Sequence, residues 1–323
     1  MTFTRRQVLL AAAALPVLPA ASQAALPDKP LTLVVPYPAG GPADGFGRAL
    51  ADALGQRLKQ IVIVENKSGA GGALGVQSVA RATPDTYTIG MAGNGATIFS
   101  PLLTSKLLVD VQRESTLIGK MVRTPNFLVV GPNVQAKTVQ ELITQAKAQP
   151  GKFTVASAGI GTGPHILAEL FKQTAGVDML HVPYKGAAPA LKEVMGGQVD
   201  MFFGEAPGVL PLIKGGKLRA LLVTSTQRVR WLPEVPCSAD VGLPQVVADG
   251  FYGLVGPTGM PADVAAALTA AVGDALRAPA LAERFEMLGG IPEPSDGVAY
   301  RAYLQSEQAR WAPVIQKAGI KLE

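Results

Sequence analysis

The chain has 323 residues, with 29 lysines and arginines against 24 aspartates and glutamates, and a formal net charge of +5 at pH 7. No run of basic residues accompanies this mild positive charge, which argues against a nucleic-acid partner. One cysteine and two histidines exclude an internal disulfide and disfavour a zinc or iron site built from these residues.

The first 24 residues predict a secretory signal peptide. Arg5 and Arg6 precede an alanine- and leucine-rich stretch, residues 8–18, and small residues around Ala24 offer a cleavage point. The two arginines are compatible with either twin-arginine export or general secretion. Together with the single cysteine, Cys237, the pattern predicts a periplasmic protein.

Apolar runs typical of strands alternate with segments of helical periodicity along the rest of the chain. Phe46, Leu50 and Leu54 share one face of a helix predicted for residues 44–58. Thr138 and Glu141 form a capping box at the start of another helix. Strands are predicted at residues 31–35, 61–64, 87–92, 127–130, 153–156, 180–182, 201–203, 218–224 and 251–255. Further helices are predicted through residues 76 and 79, at 165–174 and 187–195, and from residues 261, 279 and 297 onward.

This alternation predicts an α/β protein with two lobes, each a mostly parallel sheet flanked by helices, and a ligand cleft between them. Domain 1 is discontinuous in this prediction and comprises residues 25–125 and 226–323, while domain 2 comprises residues 126–225. The hinge is expected where the chain crosses between the lobes, near residues 123–127 and 224–226.

Two glycine-rich loops carry the strongest functional signal. Residues 34–48 (VVPYPAGGPADGFGR) and residues 155–171 (VASAGIGTGPHILAELF) both read as strand, glycine-rich turn and helix start. A helix start has unpaired backbone N–H groups and the positive end of the helix dipole, so it attracts anions. Two such starts facing each other predict a binding site for a small carboxylate.

Several enzyme classes find no support in the sequence. It contains neither a phosphate-binding P-loop nor a dinucleotide fingerprint, so no cofactor is predicted, and no metal site either. Residues 155–159 (VASAG) lie where a hydrolase nucleophile elbow would, but Val155 replaces the first glycine of that motif. An acyl hydrolase with Ser157 as nucleophile is kept as an alternative to a binding protein, although the nearby His165 is only eight residues downstream and not late in the chain, where the base of such a triad is expected.

Six segments together resemble the Bug receptors, the periplasmic substrate-binding proteins of tripartite tricarboxylate transporters. They are PYPAGGPAD (36–44), VENKSGAGGALG (64–75), SAGIGTGPH (157–165), HVPYKGAAPAL (181–191), GGQVDMFF (196–203) and IKGGKLRALLVTS (213–225). The resemblance implies a class II binding-protein fold that closes on a small carboxylate without catalysis. It also implies delivery of the ligand to the permease subunits of such a transporter, with the receptor acting as a monomer. A sensory binding protein with the same ligand class is the alternative within this reading.

The loops and strand ends supply the predicted ligand-binding residues. Asp44 is either a helix cap or a ligand contact, and Thr162 either donates to an anion or caps its helix. Residues 68–72 are read first as a turn before a helix. Glu205 would suit a ligand with a second polar or cationic end; the sequence leaves open whether the ligand is a dicarboxylate, an aromatic acid or an amino acid. The predicted site comprises Tyr37, Ala39, Gly40, Gly41, Asp44, Asn94, Ser157, Gly159, Gly161, Thr162, His165, Tyr184 and Glu205.

Overall fold

The computed structural model describes residues 29–84 and 87–322, so the predicted signal peptide lies outside the described residues. The described strands are β1 (Leu31–Val35), β2 (Val62–Asn66), β3 (Thr88–Gly93), β4 (Thr116–Val130), β5 (Thr154–Ser157), β6 (Leu180–Pro183), β7 (Met201–Glu205), β8 (Arg219–Val223), β9 (Asp249–Gly256) and β10 (Ile291–Pro292).

Helices flank these strands. They are α1 (Pro42–Leu58), α2 (Ala73–Ala80), α3 (Ser100–Leu103), α4 (Val111–Glu114), α5 (Val139–Ala148), α6 (Gly163–Ala175), α7 (Ala187–Met195), α8 (Ala206–Lys214), α9 (Ala262–Arg277), α10 (Pro279–Met287) and α11 (Gly297–Ala318). A 3-10 turn, Ala70–Gly72, precedes α2, and a π-helical turn, Gly95–Phe99, precedes α3.

The strands form two lobes that share β4, in agreement with the predicted fold class. The first lobe has the order β2-β1-β3-β9-β4, with β10 also on β4, and the second has β4-β7-β5-β6, with β8 also on β4. Strands β1, β2 and β3 run parallel, as do β5, β6 and β7. The sheets are antiparallel where β9 pairs with β3 and β4, and where β7, β8 and β10 pair with β4.

Strand β4 passes from one lobe to the other. Its residues 116–125 pair with β9 and its residues 126–130 pair with β7. The chain returns near Thr224, whose N–H donates to the Asn126 carbonyl and whose carbonyl accepts from Ala248 N. The predicted domain boundaries and hinge positions themselves stay predictions.

The apolar faces expected from the sequence form the cores. Phe46, Leu50 and Leu54 of α1 are all completely buried, in a cluster with β1 and with residues of α9 such as Leu268. On α6, Ile166 and Phe171 are buried in the same way against the second lobe. Helical spacing of apolar residues therefore places both glycine-loop helices firmly on their sheets.

The threonine half of the predicted capping box is present at the start of α5, whereas the Glu141 carboxylate accepts from Lys137 N at 2.8 Å and not from Thr138 N. Thr138 Oγ1 accepts a hydrogen bond from Glu141 N at 3.1 Å. We expect Thr138→Ala to lower the free energy of unfolding by about 1 kcal/mol, because the Glu141 amide loses its acceptor. Urea unfolding measures the change. Thr144→Ala in the same helix is the control, expected to stay within about 0.5 kcal/mol; equal effects of the two changes would contradict the capping role.

Candidate functional site

A cavity of about 330 Å³ lies between the lobes, which we call the interlobe cavity. It lies at the edge where β1, β3 and β7 end, the place where open α/β sheets bind ligands. Five of the residues predicted from the sequence line it: Tyr37, Asn94, Gly161, Thr162 and Glu205. Ala70 and Gly71 of the segment read first as a turn form a 3-10 turn and also line it.

The first glycine loop reaches the interlobe cavity through Tyr37 alone. Gly40, Gly41 and Asp44 line a separate cavity of about 310 Å³, together with residues of α8. Gly40 N donates to Asp44 Oδ2 at 2.9 Å, and Gly41 N donates to the Pro38 carbonyl at 3.3 Å. In this structure the two amides therefore do not share a pocket with the second loop, because each already donates to another group of the first loop.

Asp44 fastens the first loop. Its carboxylate is 3% exposed and also accepts from Arg48 Nε at 2.8 Å and Asn66 Nδ2 at 2.9 Å. Burial by itself raises the pKa of Asp44, but the hydrogen bonds from Arg48, Gly40 and Asn66 and the Arg48 charge outweigh it and lower the pKa. Of the two readings of Asp44, the structure favours a structural role over a ligand contact.

The second glycine loop is built around its own hydrogen bonds. Gly159 N donates to Ser157 Oγ at 3.1 Å, and Gly161 N donates to His165 Nδ1 at 3.1 Å. Thr162 Oγ1 donates to the Gly159 carbonyl at 2.7 Å, so it neither caps α6 nor donates elsewhere. These bonds hold the loop in its conformation at the wall of the interlobe cavity.

The start of α6 still offers unpaired donors. The first bond of the helix runs from Ile166 N to the Thr162 carbonyl at 3.0 Å. Pro164 has no N–H, and within residues 29–84 and 87–322 the amides of Gly163 and His165 have no hydrogen-bond partner. Gly163 lines the cavity, so the positive end of a thirteen-residue helix faces it.

The Ser157 hydroxyl contacts His181, and not the His165 considered with the hydrolase alternative. Its Oγ lies 2.6 Å from His181 Nε2, while His165 stacks on His181 with ring centroids 3.8 Å apart. Burial, then the nearby charges of His181 and Lys172, lower the pKa of His165 to about 4. Ser157 is completely buried and lines no part of the interlobe cavity, so a substrate there has no access to its hydroxyl.

The other predicted residues lie away from the interlobe cavity. Ala39, Gly159, His165 and Tyr184 are absent from its wall, although Gly159 and His165 support the loop that forms it. Tyr184 N donates to the Ser157 carbonyl at 3.0 Å, which ties the β6 end to the loop.

The sequence reading missed an aromatic and acidic part of the wall. Tyr252, Phe251 and Trp311 line the cavity, as does Asp249. Asp249 is the first residue of β9, which runs antiparallel to β3, so its first residues lie at the edge where the parallel strands end. The sequence pattern predicted mostly parallel sheets, in which ligand-binding residues are expected at the carboxyl ends of strands. The first residue of an antiparallel strand was therefore not predicted to line the site. Trp311 comes from the middle of α11, where no local pattern marks a site.

Two carboxyl groups stand at this part of the wall. Glu205 Oε2 accepts from Thr124 Oγ1 at 3.0 Å and from the Tyr252 hydroxyl at 3.5 Å. Asp249 Oδ2 accepts from Arg123 Nη1 at 3.1 Å. Burial raises the pKa of both acids, that of Asp249 to about 6. Asn94 holds the start of β9, which carries Asp249, since Phe251 N donates to its Oδ1 at 2.9 Å.

The described ranges contain neither a metal-binding cluster nor a single membrane-spanning helix. Across residues 29–84 and 87–322, no cluster of three or more histidine, cysteine or acidic side chains is arranged to hold a metal ion. Over the same ranges no single helix has the length and apolar character to cross a membrane. The α9–α10 pair, bent by 73°, meets those criteria only by length and composition.

Comparisons with known proteins identify the family of this chain. Residues 46–320 match the family model described as the tripartite tricarboxylate transporter family receptor. The chain belongs to this receptor family. It is 33% identical over 302 residues to Protein BugT of Bordetella pertussis, covering 92% of this chain and 91% of BugT.

Solved structures agree with this assignment. The periplasmic binding protein BugD is 32% identical with a TM-score of 0.80, over 92% of this chain and 100% of BugD. The R. palustris protein Rpa4515, solved with adipate, is 28% identical with a TM-score of 0.84, over 91% of this chain and 99% of that protein. The predicted Bug-family resemblance, the two-lobed fold and the prediction of a binding protein rather than an enzyme are confirmed. The hydrolase alternative is therefore wrong.

Proposed function

We propose that this chain is a periplasmic receptor that binds a small organic acid in the interlobe cavity and delivers it to the permease subunits of a tripartite tricarboxylate transporter. The single observation that carries the ligand site is the start of α6 at the cavity wall, where Gly163 lines a space of about 330 Å³ and its N–H has no partner among the described residues. Backbone amides and a helix dipole hold a carboxylate without a buried lysine or arginine.

Relatives support the ligand class. The Rpa4515 structure contains adipate, a dicarboxylate, and the matching family model is that of a transporter receptor. The mechanism we infer is closure of the two lobes around the ligand, with domain 1 formed by residues 25–125 and 226–323 and domain 2 by residues 126–225. Affinity then reflects contacts that exist only in the closed state.

A charge placed at the start of α6 tests the site. We expect Gly163→Asp to weaken binding of carboxylates roughly 30-fold or more, about 2 kcal/mol, because the new carboxylate occupies the free amides and repels the ligand. A Cβ at Gly163 meets only Phe99 Cε2, at 3.5 Å, so the fold accommodates the change. Isothermal titration calorimetry with the acid that gives the largest thermal shift in a carboxylate panel measures the effect.

Ala262→Asp is the matched control, because it places the same charge at the exposed start of α9. It should leave affinity unchanged. Unaltered affinity in Gly163→Asp, or stabilisation of the wild type by neutral sugars alone, would refute the carboxylate site.

A further inference from the structure

The charged side chains that line the interlobe cavity in the described part of the chain are all acidic. Glu205 and Asp249 line it, whereas no lysine, arginine or histidine from residues 29–84 and 87–322 does so. Among the described residues, the lining groups that can receive an anion are neutral donors, at the start of α6 and on side chains such as Asn94 and Asn126. A ligand with carboxylates at both ends would bring one of them against this acidic wall, where like charges repel.

Residues of the neighbouring strands β4 and β9 fix the position of the Glu205 side chain. Its Oε2 is held by Thr124 Oγ1 at 3.0 Å, whereas Oε1 has no hydrogen-bond partner in the described part of the chain. A Cβ on Gly250 would lie 2.7 Å from Oε1 and 2.6 Å from Cδ. Only glycine at position 250 leaves room for the carboxylate in this place.

Aromatic rings surround the same carboxylate. The Tyr37 and Tyr252 rings pack edge to face with centroids 5.7 Å apart, and the Tyr252 hydroxyl lies 3.5 Å from Glu205 Oε2. Both tyrosines line the cavity. A carboxylate beside aromatic rings is the environment that an organic ammonium group prefers, because the ring faces and the anion both attract a cation.

The second acid extends this negative region. Asp249 Oδ1 is buried and has no hydrogen-bond partner among the described residues, and Arg123 is paired with Oδ2 only. Burial raises the pKa of Glu205 and Asp249, because a buried carboxylate is less well solvated than one in water. A cationic ligand group would supply the missing compensation.

We propose that the ligand is a small zwitterion, an amino acid in the broad sense, whose carboxylate binds at the start of α6 and whose ammonium group binds Glu205 between Tyr37 and Tyr252. This inference rests on the proposed carboxylate-binding function and names the group at the other end of the ligand. Glu205 is the residue that determines specificity.

The experiment compares matched ligands across the wild type, two Glu205 variants and one control variant. The probes are the standard L-amino acids and three series of equal chain length: ω-amino acids, dicarboxylates and unsubstituted monocarboxylates. Thermal shift ranks them and calorimetry gives affinities. We expect an amino-bearing acid to bind at least tenfold tighter than its matched dicarboxylate and monocarboxylate.

Glu205→Gln keeps an acceptor for Thr124 and removes the charge, so it should abolish this advantage. Glu205→Asp keeps the charge one methylene further away and should retain the preference with weaker affinity. Glu283→Gln, an exposed position on α10, is the matched control and should change nothing.

Tighter binding of dicarboxylates by the wild type, or an amino-acid preference that survives in Glu205→Gln, would overturn the zwitterion while leaving a carboxylate receptor intact. If none of the three series nor any amino acid binds, the proposed function fails together with this inference.

Discussion

Replacement of Asp44 by asparagine is expected to lower the free energy of unfolding by about 3 kcal/mol. The carboxylate accepts from Gly40 N, Arg48 Nε and Asn66 Nδ2, and it is 3% exposed. Both carboxylate oxygens of Asp44 accept hydrogen bonds, whereas an asparagine side chain has only one oxygen. Its NH₂ group would therefore face one of the present donors. The loss of a charge-assisted bond adds to the cost of the unpaired donor.

Urea unfolding near pH 7 measures this change, and Asp52→Asn is the control. Asp52 lies on the same helix, with 60% of its side chain exposed, and pairs with Arg284 at 2.8 Å. Exposed pairs of this kind contribute little, so the control should lose less than about 1 kcal/mol. Equal losses in the two variants would show that the Asp44 bonds do not stabilise the fold.

The acid dependence of this difference has a definite sign. The pKa of Asp44 is lowered in the folded protein, so its stabilising contribution is fully present above the unfolded pKa of about 3.9. It is lost as the pH falls through the lower folded pKa. The difference in free energy of unfolding between the wild type and Asp44→Asn should therefore become smaller in strong acid.

The second large effect is a loss of stability between about pH 6.5 and pH 4 that originates at His165. Burial lowers the pKa of this residue from 6.5 to about 4, and Nδ1 accepts the Gly161 N–H, which a protonated ring cannot do. A base with a depressed pKa contributes fully above its unfolded pKa, and that contribution falls as the pH drops to the folded value. A shift of this size corresponds to about 3 kcal/mol.

Denaturant unfolding at several values between pH 7 and pH 4 tests this expectation. His165→Asn keeps an acceptor near the Nδ1 position but does not titrate, so its stability should change less with pH than that of the wild type. His181→Asn is the comparison: burial lowers the pKa of His181 too, but the variant retains the His165 contribution. An unchanged pH profile in His165→Asn would assign the acid sensitivity to other groups.

The alternation of strands and helices could be read from local patterns, and so could most element positions. β1 is found at residues 31–35 as predicted, and α7 at Ala187–Met195, because apolar runs and glycine stops are local signals. Residues 116–126 were not predicted as strand, since Gly119 and Pro125 weaken the pattern. Helix α8 was missed for a related reason, because it contains Pro207, Gly208 and Pro211.

The candidate site could be predicted only in part. The sequence identified the loop at Gly161 and the wall residue Glu205, both of which lie at ends of parallel strands. The sequence did not reveal that Asp44 accepts a hydrogen bond from Gly40 N. An acidic residue at a helix start gives the same sequence pattern whether its carboxylate binds the chain or a ligand. Asp249 and Trp311 come to the cavity through an antiparallel strand and a distant helix, and such placement depends on tertiary packing.

The fifteen-residue strand β4 has a consequence for movement. Two successive residues of this strand change partner, since Pro125 faces Asp249 and Asn126 faces Glu205. In the closure proposed above, both acids of the cavity therefore lie beside the strand that links the two lobes. A solute bound at Glu205 would then lie close to the pivot of that closure, so a small rotation there would produce its largest displacements at the parts of the lobes farthest from the cavity.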